Sequence, residues 1–276
     1  MTWRNARNDE NFFKDFLRDD GQINSVAQLT NAVQLSSYNC QPPWCLYEGV
    51  TCGNVAGISS YGMVQSISLK NLALTGTLPD SIGDFRSLTL FDISSNHIHG
   101  TIPDTIINWR GGISSISLDA NNLTGTIPAA IGYLLSLTAV HLHDNSLQGP
   151  IPSVVGSLNS LSILTLGRNS LTGTIPSTVG SMAALQHFSL NSNLLTGTIP
   201  SGISALSRLV FFDAADNFLS TGSARTLTDI TLSDAAGSRT LELSSRRLIY
   251  QSDTQPWQNS VTSCCIPAIL DAIGES

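Results

Sequence analysis

The residues with the most chemical capacity sit mid-chain, in His141-Leu142-His143-Asp144. On an extended strand, side chains two positions apart face the same side. The strand rise puts the Cβ atoms of His141 and His143 roughly 7 Å apart. Asp119 precedes His143 by 24 residues. Two imidazoles and a carboxylate could ligate a divalent metal, or could form a polar binding face on which a histidine and an aspartate pair. The second reading is adopted, with no metal and no cofactor assigned. Enzyme signatures are absent: no Gly-x-x-x-x-Gly-Lys phosphate loop, no His-Glu-x-x-His, no Gly-x-Ser-x-Gly elbow and no kinase set. The expectation is a chain that binds and does not catalyse.

What must position these residues is a repeat. The pattern LxxLxLxxNxL, with any apolar residue at L, matches six times and ends each time on an Asn-x-apolar step at Asn96, Asn121, Asn145, Asn169, Asn193 and Asn217. An earlier copy begins at Val64 and carries Leu72 in the Asn slot. The copies start at residues 64, 88, 113, 137, 161, 185 and 209, a spacing of 24 or 25 residues. All but the last continue with Gly-x-Ile/Leu-Pro, from Gly76–Pro79 to Gly197–Pro200. The combination resembles the plant-type leucine-rich repeat over about residues 40 to 223.

That resemblance implies an α/β repeat solenoid: a right-handed superhelix with a parallel inner β-sheet, about seven 24-residue coils and a helical N-terminal cap. One coil cannot bury its own apolar side, so coils stack. Strand centres are expected at Ile67, Phe91, Ile116, Val140, Leu164, Phe188 and Phe212. The Asn column sits where the chain leaves the strand, and its amide can pair with backbone groups that stacking would otherwise leave buried and unsatisfied. Residues 1–63 read as the cap, with Phe12, Phe13, Phe16 and Leu17 at helical spacing. Residues 64–223 are the repeats. Residues 224–276 fit poorly, with one degenerate coil over Leu227-x-x-Ile230-x-Leu232 and a cap or tail beyond.

Strand alternation sorts the outward positions into columns on the concave face. The candidate ligand-binding set is Asp92, Ser94, Ser117, Asp119, His141, His143, Asp144, Thr165, Arg168, His187, Ser189, Asn191, Phe211 and Asp213. Leu90, Ile163 and Phe211 are the apolar exposures, and Phe211 and Ile163 could anchor a ligand. Thr-Gly-Thr recurs at Thr75/Thr77, Thr124/Thr126, Thr172/Thr174 and Thr196/Thr198, and stacking aligns these threonines along one flank. Asn122-Leu-Thr124 is a glycosylation sequon.

Composition narrows the partners. The 276 residues carry net charge −7, and 12% are charged, about half the usual fraction of ~25%. Basic residues are scattered singly, which argues against nucleic acid. No apolar run approaches the roughly 20 residues of a membrane helix. The run Cys40-Gln-Pro-Pro-Trp-Cys45 to Gly49-Val-Thr-Cys52 resembles the plant-type N-terminal cap. By that resemblance Cys45 and Cys52 pair as a disulfide. A cap disulfide implies an oxidising compartment, yet the first residues lack the apolar core of a secretory leader, so a leader is expected to have been lost. The resemblance therefore points to a secreted or cell-surface binding module for a peptide, protein or glycan, similar to receptor-like ectodomains, with a membrane-anchored parent left open. The alternatives are a secreted inhibitor of a cell-wall-degrading enzyme, similar to the polygalacturonase-inhibiting proteins, and an ice-binding or structural solenoid.

Overall fold

The computed structural model describes residues 49–53 and 63–220, together with the backbone of two further strands, Thr231–Asp234 and Gly237–Thr240. The inner sheet is built from Met63–Ser68, Leu90–Asp92, Ser115–Ser117, Ala139–His141, Ile163–Thr165, His187–Ser189 and Phe211–Asp213. Each pairs in parallel with the strand one coil away. The central residue of every strand, from Ile67 to Phe212, points into the core and is buried. These are the seven positions that the repeat phase predicts. The residues flanking each centre line the opposite face, which is open.

An eighth strand was not anticipated. Val50–Gly53 runs antiparallel to Met63–Ser68, with an irregularity between Thr51 and Cys52. A first coil would otherwise present a row of unpaired backbone groups at the sheet edge, and an antiparallel return strand covers them. The predicted helical part of the cap and Cys45 lie outside the described residues. Further on, Thr231–Asp234 pairs antiparallel with Gly237–Thr240; most of the predicted degenerate coil, Leu227 to Leu232, lies outside the described residues.

Each Gly-x-Ile/Leu-Pro step delivers the chain in extended conformation to a short 3-10 turn, as at Ser153–Ser157 after Pro152. Proline fixes φ and offers no N–H, so the turn starts where a donor is dispensable. The turns stack closely: a Cβ on Gly132 would lie 2.6 Å from the backbone oxygen of Val154 one coil on. The coil that begins at Leu88 has one extra residue, and its turn is the longer Asp104–Gly111. Trp109 fills that coil at 1% exposure. Its Nε1 donates to the Ile82 carbonyl at 2.9 Å, and its ring lies 5.2 Å from that of Phe91.

The threonine-rich flank forms strands of its own. Thr75–Thr77, His97–Gly100 and Asn122–Leu123 make a three-stranded sheet, and two further pairs follow, Gln148–Pro150 with Ser170–Thr172 and Thr196–Thr198 with Phe218–Ser220.

Candidate ligand-binding site

The open face of the inner sheet is shaped by the turn that leaves each strand. The residue before each ladder asparagine adopts a left-handed conformation: Ser95, Ala120, Asp144, Arg168, Ser192 and Asp216 all have φ between 52 and 56°. Non-glycine residues rarely take this conformation. Here it is held by cross-coil bonds such as Asp144 N–H to the Gly167 carbonyl at 3.0 Å and Arg168 N–H to the Asn191 carbonyl at 2.7 Å. The consequence is a stacked column in which Asp144 and Arg168 fall one coil apart. Arg168 Nη1 sits 3.3 Å from Asp144 Oδ1.

The ladder below this column works as its amide chemistry suggested. Asn145 accepts from the Leu123 N–H at 2.9 Å and donates to the Leu118 carbonyl at 3.0 Å, both in the preceding coil. Asn96, Asn121, Asn169, Asn193 and Asn217 repeat the arrangement.

Register then gathers the central cluster. His141 stands between Ser117 and Thr165 in the sheet. Nδ1 of His141 and Nδ1 of His143 lie 3.2 and 3.0 Å from the same Thr165 hydroxyl. The two rings meet edge to face, centroids 6.4 Å apart. Nε2 of His143 lies 3.7 Å from Asp119 Oδ2 and 3.9 Å from Asp144 Oδ2. Burial pulls the pKa of His141 below its ordinary value. Asp119 opposes that shift, His143 adds to it, and Asp92 and Lys70 contribute in opposite senses. Asp119, His141, His143, Asp144, Thr165 and Arg168 are thus one connected group. Among the described residues, no three His, Cys, Asp or Glu side chains are arranged so that they could hold a metal ion.

A second, apolar group lies toward the last coil. His187 stacks on Phe211, ring centroids 5.9 Å apart, and Phe211 is 46% exposed. Ile163 pairs with His187 in register, which extends the row toward the histidine cluster.

The other sequence candidates are not part of either group. Ser94 is corrected: at 1% exposure it is out of a partner's reach, because its N–H and hydroxyl both donate to Asp92 Oδ1. Asp92 is tied to that turn. Asp213 likewise accepts from the Ala215 N–H. Ser189 donates to Asn191 Oδ1 at 2.7 Å, and Ser117 is half-buried on the strand between Asp92 and His141. Asn122 is exposed on the flank strand. Cys52 is disulfide-bonded, and Cys45, its expected partner, lies outside the described residues.

The leucine-rich repeat family model matches residues 87–109, 160–182 and 184–206. These three stretches are leucine-rich repeats. Several of the relatives the chain matches are named as plant receptor-like kinases or receptor-like proteins. LRR receptor-like serine/threonine-protein kinase GSO2 of Arabidopsis thaliana is 40% identical over 75 residues, 27% of this chain and 5% of the relative. Protein STRUBBELIG of the same plant is 34% identical over 92 residues, 33% of this chain and 11% of the relative. Among solved structures, PEPR1–AtPEP1 matches with TM-score 0.60 at 25% identity, over 78% of this chain and 32% of that one. The plant peptide hormone receptor RGFR1 in complex with RGF2 matches with TM-score 0.52 at 33% identity, over 53% of this chain and 23% of that one. The repeat protein spans 5 to 16% of the length of the curated relatives it matches.

Proposed function

We propose that the repeat protein is an extracellular, non-catalytic binding module that takes a peptide or protein partner across the open face of its inner sheet. One observation carries the reading. The only ionisable cluster among the described residues that joins three consecutive coils, Asp119 with His141, His143 and Asp144 and then Thr165 and Arg168, lies on that face and takes no part in the core. Beside it the His187–Phe211 pair offers apolar and aromatic area, the residue types that supply binding hot spots. One similar structure is named as a plant peptide hormone receptor, RGFR1, in complex with RGF2, which supports a peptide as the partner class. The Cys52 disulfide supports an oxidising compartment.

Peptide display against the folded chain, followed by affinity measurement on the selected peptides, tests the proposal. Replacing His141 and His143 together by Ala is expected to weaken binding by about 1–3 kcal/mol with the fold retained. Replacing Thr174 and Thr198 on the flank is expected to leave it unchanged. The reverse pattern would move the binding face to the threonine flank.

A further inference from the structure

We propose that His141, Thr165 and His143 form a hydrogen-bond relay in which a proton taken up by His143 reverses the polarity of Nε2 of His141, turning it from an acceptor into a donor for a ligand carboxylate. The inference rests on the open face being the binding face.

The geometry leaves few arrangements. Two ring nitrogens, 3.2 and 3.0 Å away, share one hydroxyl. A threonine hydroxyl has one hydrogen to give and two lone pairs to accept with. While both rings are neutral it donates to one Nδ1 and accepts from the other. The far side of His143 decides which. Its Nε2 faces Asp119 and Asp144 at 3.7 and 3.9 Å, so the tautomer with hydrogen on Nε2 turns a donor toward the two carboxylates.

With His143 neutral, its Nε2 carries the hydrogen and its Nδ1 lone pair accepts from Thr165. The Thr165 oxygen then accepts from Nδ1–H of His141, and Nε2 of His141 is a bare lone pair. With His143 charged, both its nitrogens carry hydrogen, and Nδ1–H donates to the Thr165 oxygen. The Thr165 hydrogen turns to Nδ1 of His141. That nitrogen gives its proton to water while Nε2 takes one from water, and the net uptake is the single proton on His143. Nε2–H of His141 is now a donor, and among the described residues it has no protein partner.

Burial supports the scheme, because it holds His141 in the neutral form where these two tautomers are the available states. Charges of both signs surround the cluster: Asp119 acts on His141 more strongly than His143 does. Asp119 and Asp144 lie on the His143 side, and Arg168 pairs with Asp144. Asp92, on the strand Leu90–Asp92, and Lys70, just past the strand Met63–Ser68, act on His141 with opposite sign. A carboxylate at Nε2 of His141 would meet a hydrogen-bond donor backed by the His143 cation.

Long-range 1H–15N correlation spectra of histidine-labelled protein, titrated from about pH 8 to 5 across the histidine range, read each ring's tautomer directly. His→Gln variants assign the signals. As His143 titrates, His141 is expected to pass from the Nδ1–H to the Nε2–H form. Acetate is expected to shift the His141 Nε2 signal on the acid side only. In Thr165→Val, His143 still titrates while the His141 tautomer stays fixed, and Thr165→Ser restores the exchange. A His141 tautomer that never changes in the wild type, or that changes equally in Thr165→Val, overturns the relay. A His141 signal that acetate moves at no pH overturns the carboxylate assignment. No peptide partner enters these measurements, so their failure is distinct from failure of the binding face itself.

Discussion

Replacing Asn193 by Ala tests what holds one coil to the next. Asn193 is 4% exposed. Its Oδ1 accepts from the Leu171 N–H at 2.9 Å, and its two Nδ2 hydrogens go to the carbonyls of Leu166 and Leu190, each at 3.0 Å, one of them shared with the Asn191 carbonyl at a longer 3.3 Å. The two carbonyls have second partners: Asn169 also donates to Leu166 at 3.1 Å and Asn217 to Leu190 at 2.9 Å. In Asn193→Ala each carbonyl therefore keeps one bond, whereas the buried Leu171 N–H loses its side-chain acceptor. Three lost bonds at about 1 kcal/mol each, plus up to about 2 kcal/mol for the stranded donor, predict a loss of roughly 3–5 kcal/mol. Asn193→Asp keeps an acceptor for Leu171 but turns an oxygen toward two carbonyls, and is expected to cost at least as much at neutral pH. Urea unfolding followed by far-UV circular dichroism measures both, with the slope compared against wild type because stacked coils can unfold in parts. A loss below about 1 kcal/mol in Asn193→Ala, where three bonds of ordinary strength predict several times more, would refute the idea that side-chain bonds to the preceding coil bind the stack.

Gly125 has φ +73°, and a Cβ there would lie 2.7 Å from Cγ2 of Thr101, so Gly125→Ala is expected to lose about 1–3 kcal/mol. Adding Thr101→Ser should recover only part of that in thermal unfolding, since it removes the methyl contact and not the backbone strain. The pKa of His141 is lowered by burial from 6.5, so on acidification the unfolded chain takes up this proton first. Stability contributed here therefore falls as pH drops below the unfolded value toward the lower folded one. Denaturation midpoints of His141→Gln should fall less than those of wild type across that window. Expression through a eukaryotic secretory pathway is expected to add a glycan at exposed Asn122, seen as a mass decrease on enzymatic deglycosylation that Asn122→Gln abolishes.

The fold was legible because one period governs it. Apolar positions at fixed offsets placed all seven parallel strands, and an amide in a fixed slot announced the cross-coil bonds before any geometry was known. The antiparallel strand Val50–Gly53 escaped because it occurs once and belongs to no repeat. The histidine cluster was half legible. Alternation put His141 and His143 on one face with Asp119 beside them. Their meeting on one hydroxyl depends on rotamers, which no spacing encodes. The Asp144–Arg168 pair was missed for another reason: it follows from the left-handed residue before each ladder asparagine, where aspartate, arginine, alanine and serine all occur. Ser94 misled because its column position was right, while a local bond to Asp92 buries it.

The ladder amides all reach backward. Asn121 serves Ile98 and Ile93, Asn145 serves Leu123 and Leu118, and Asn217 serves Leu195 and Leu190. A coil's own backbone is thus completed in part by the ladder amide of the coil that follows it. This gives the stack a direction that its parallel sheet alone does not have. A chain cut after any coil ends on a turn with open donors and acceptors. Shortening from the carboxyl end is therefore expected to strand donors and acceptors of the coil before the cut.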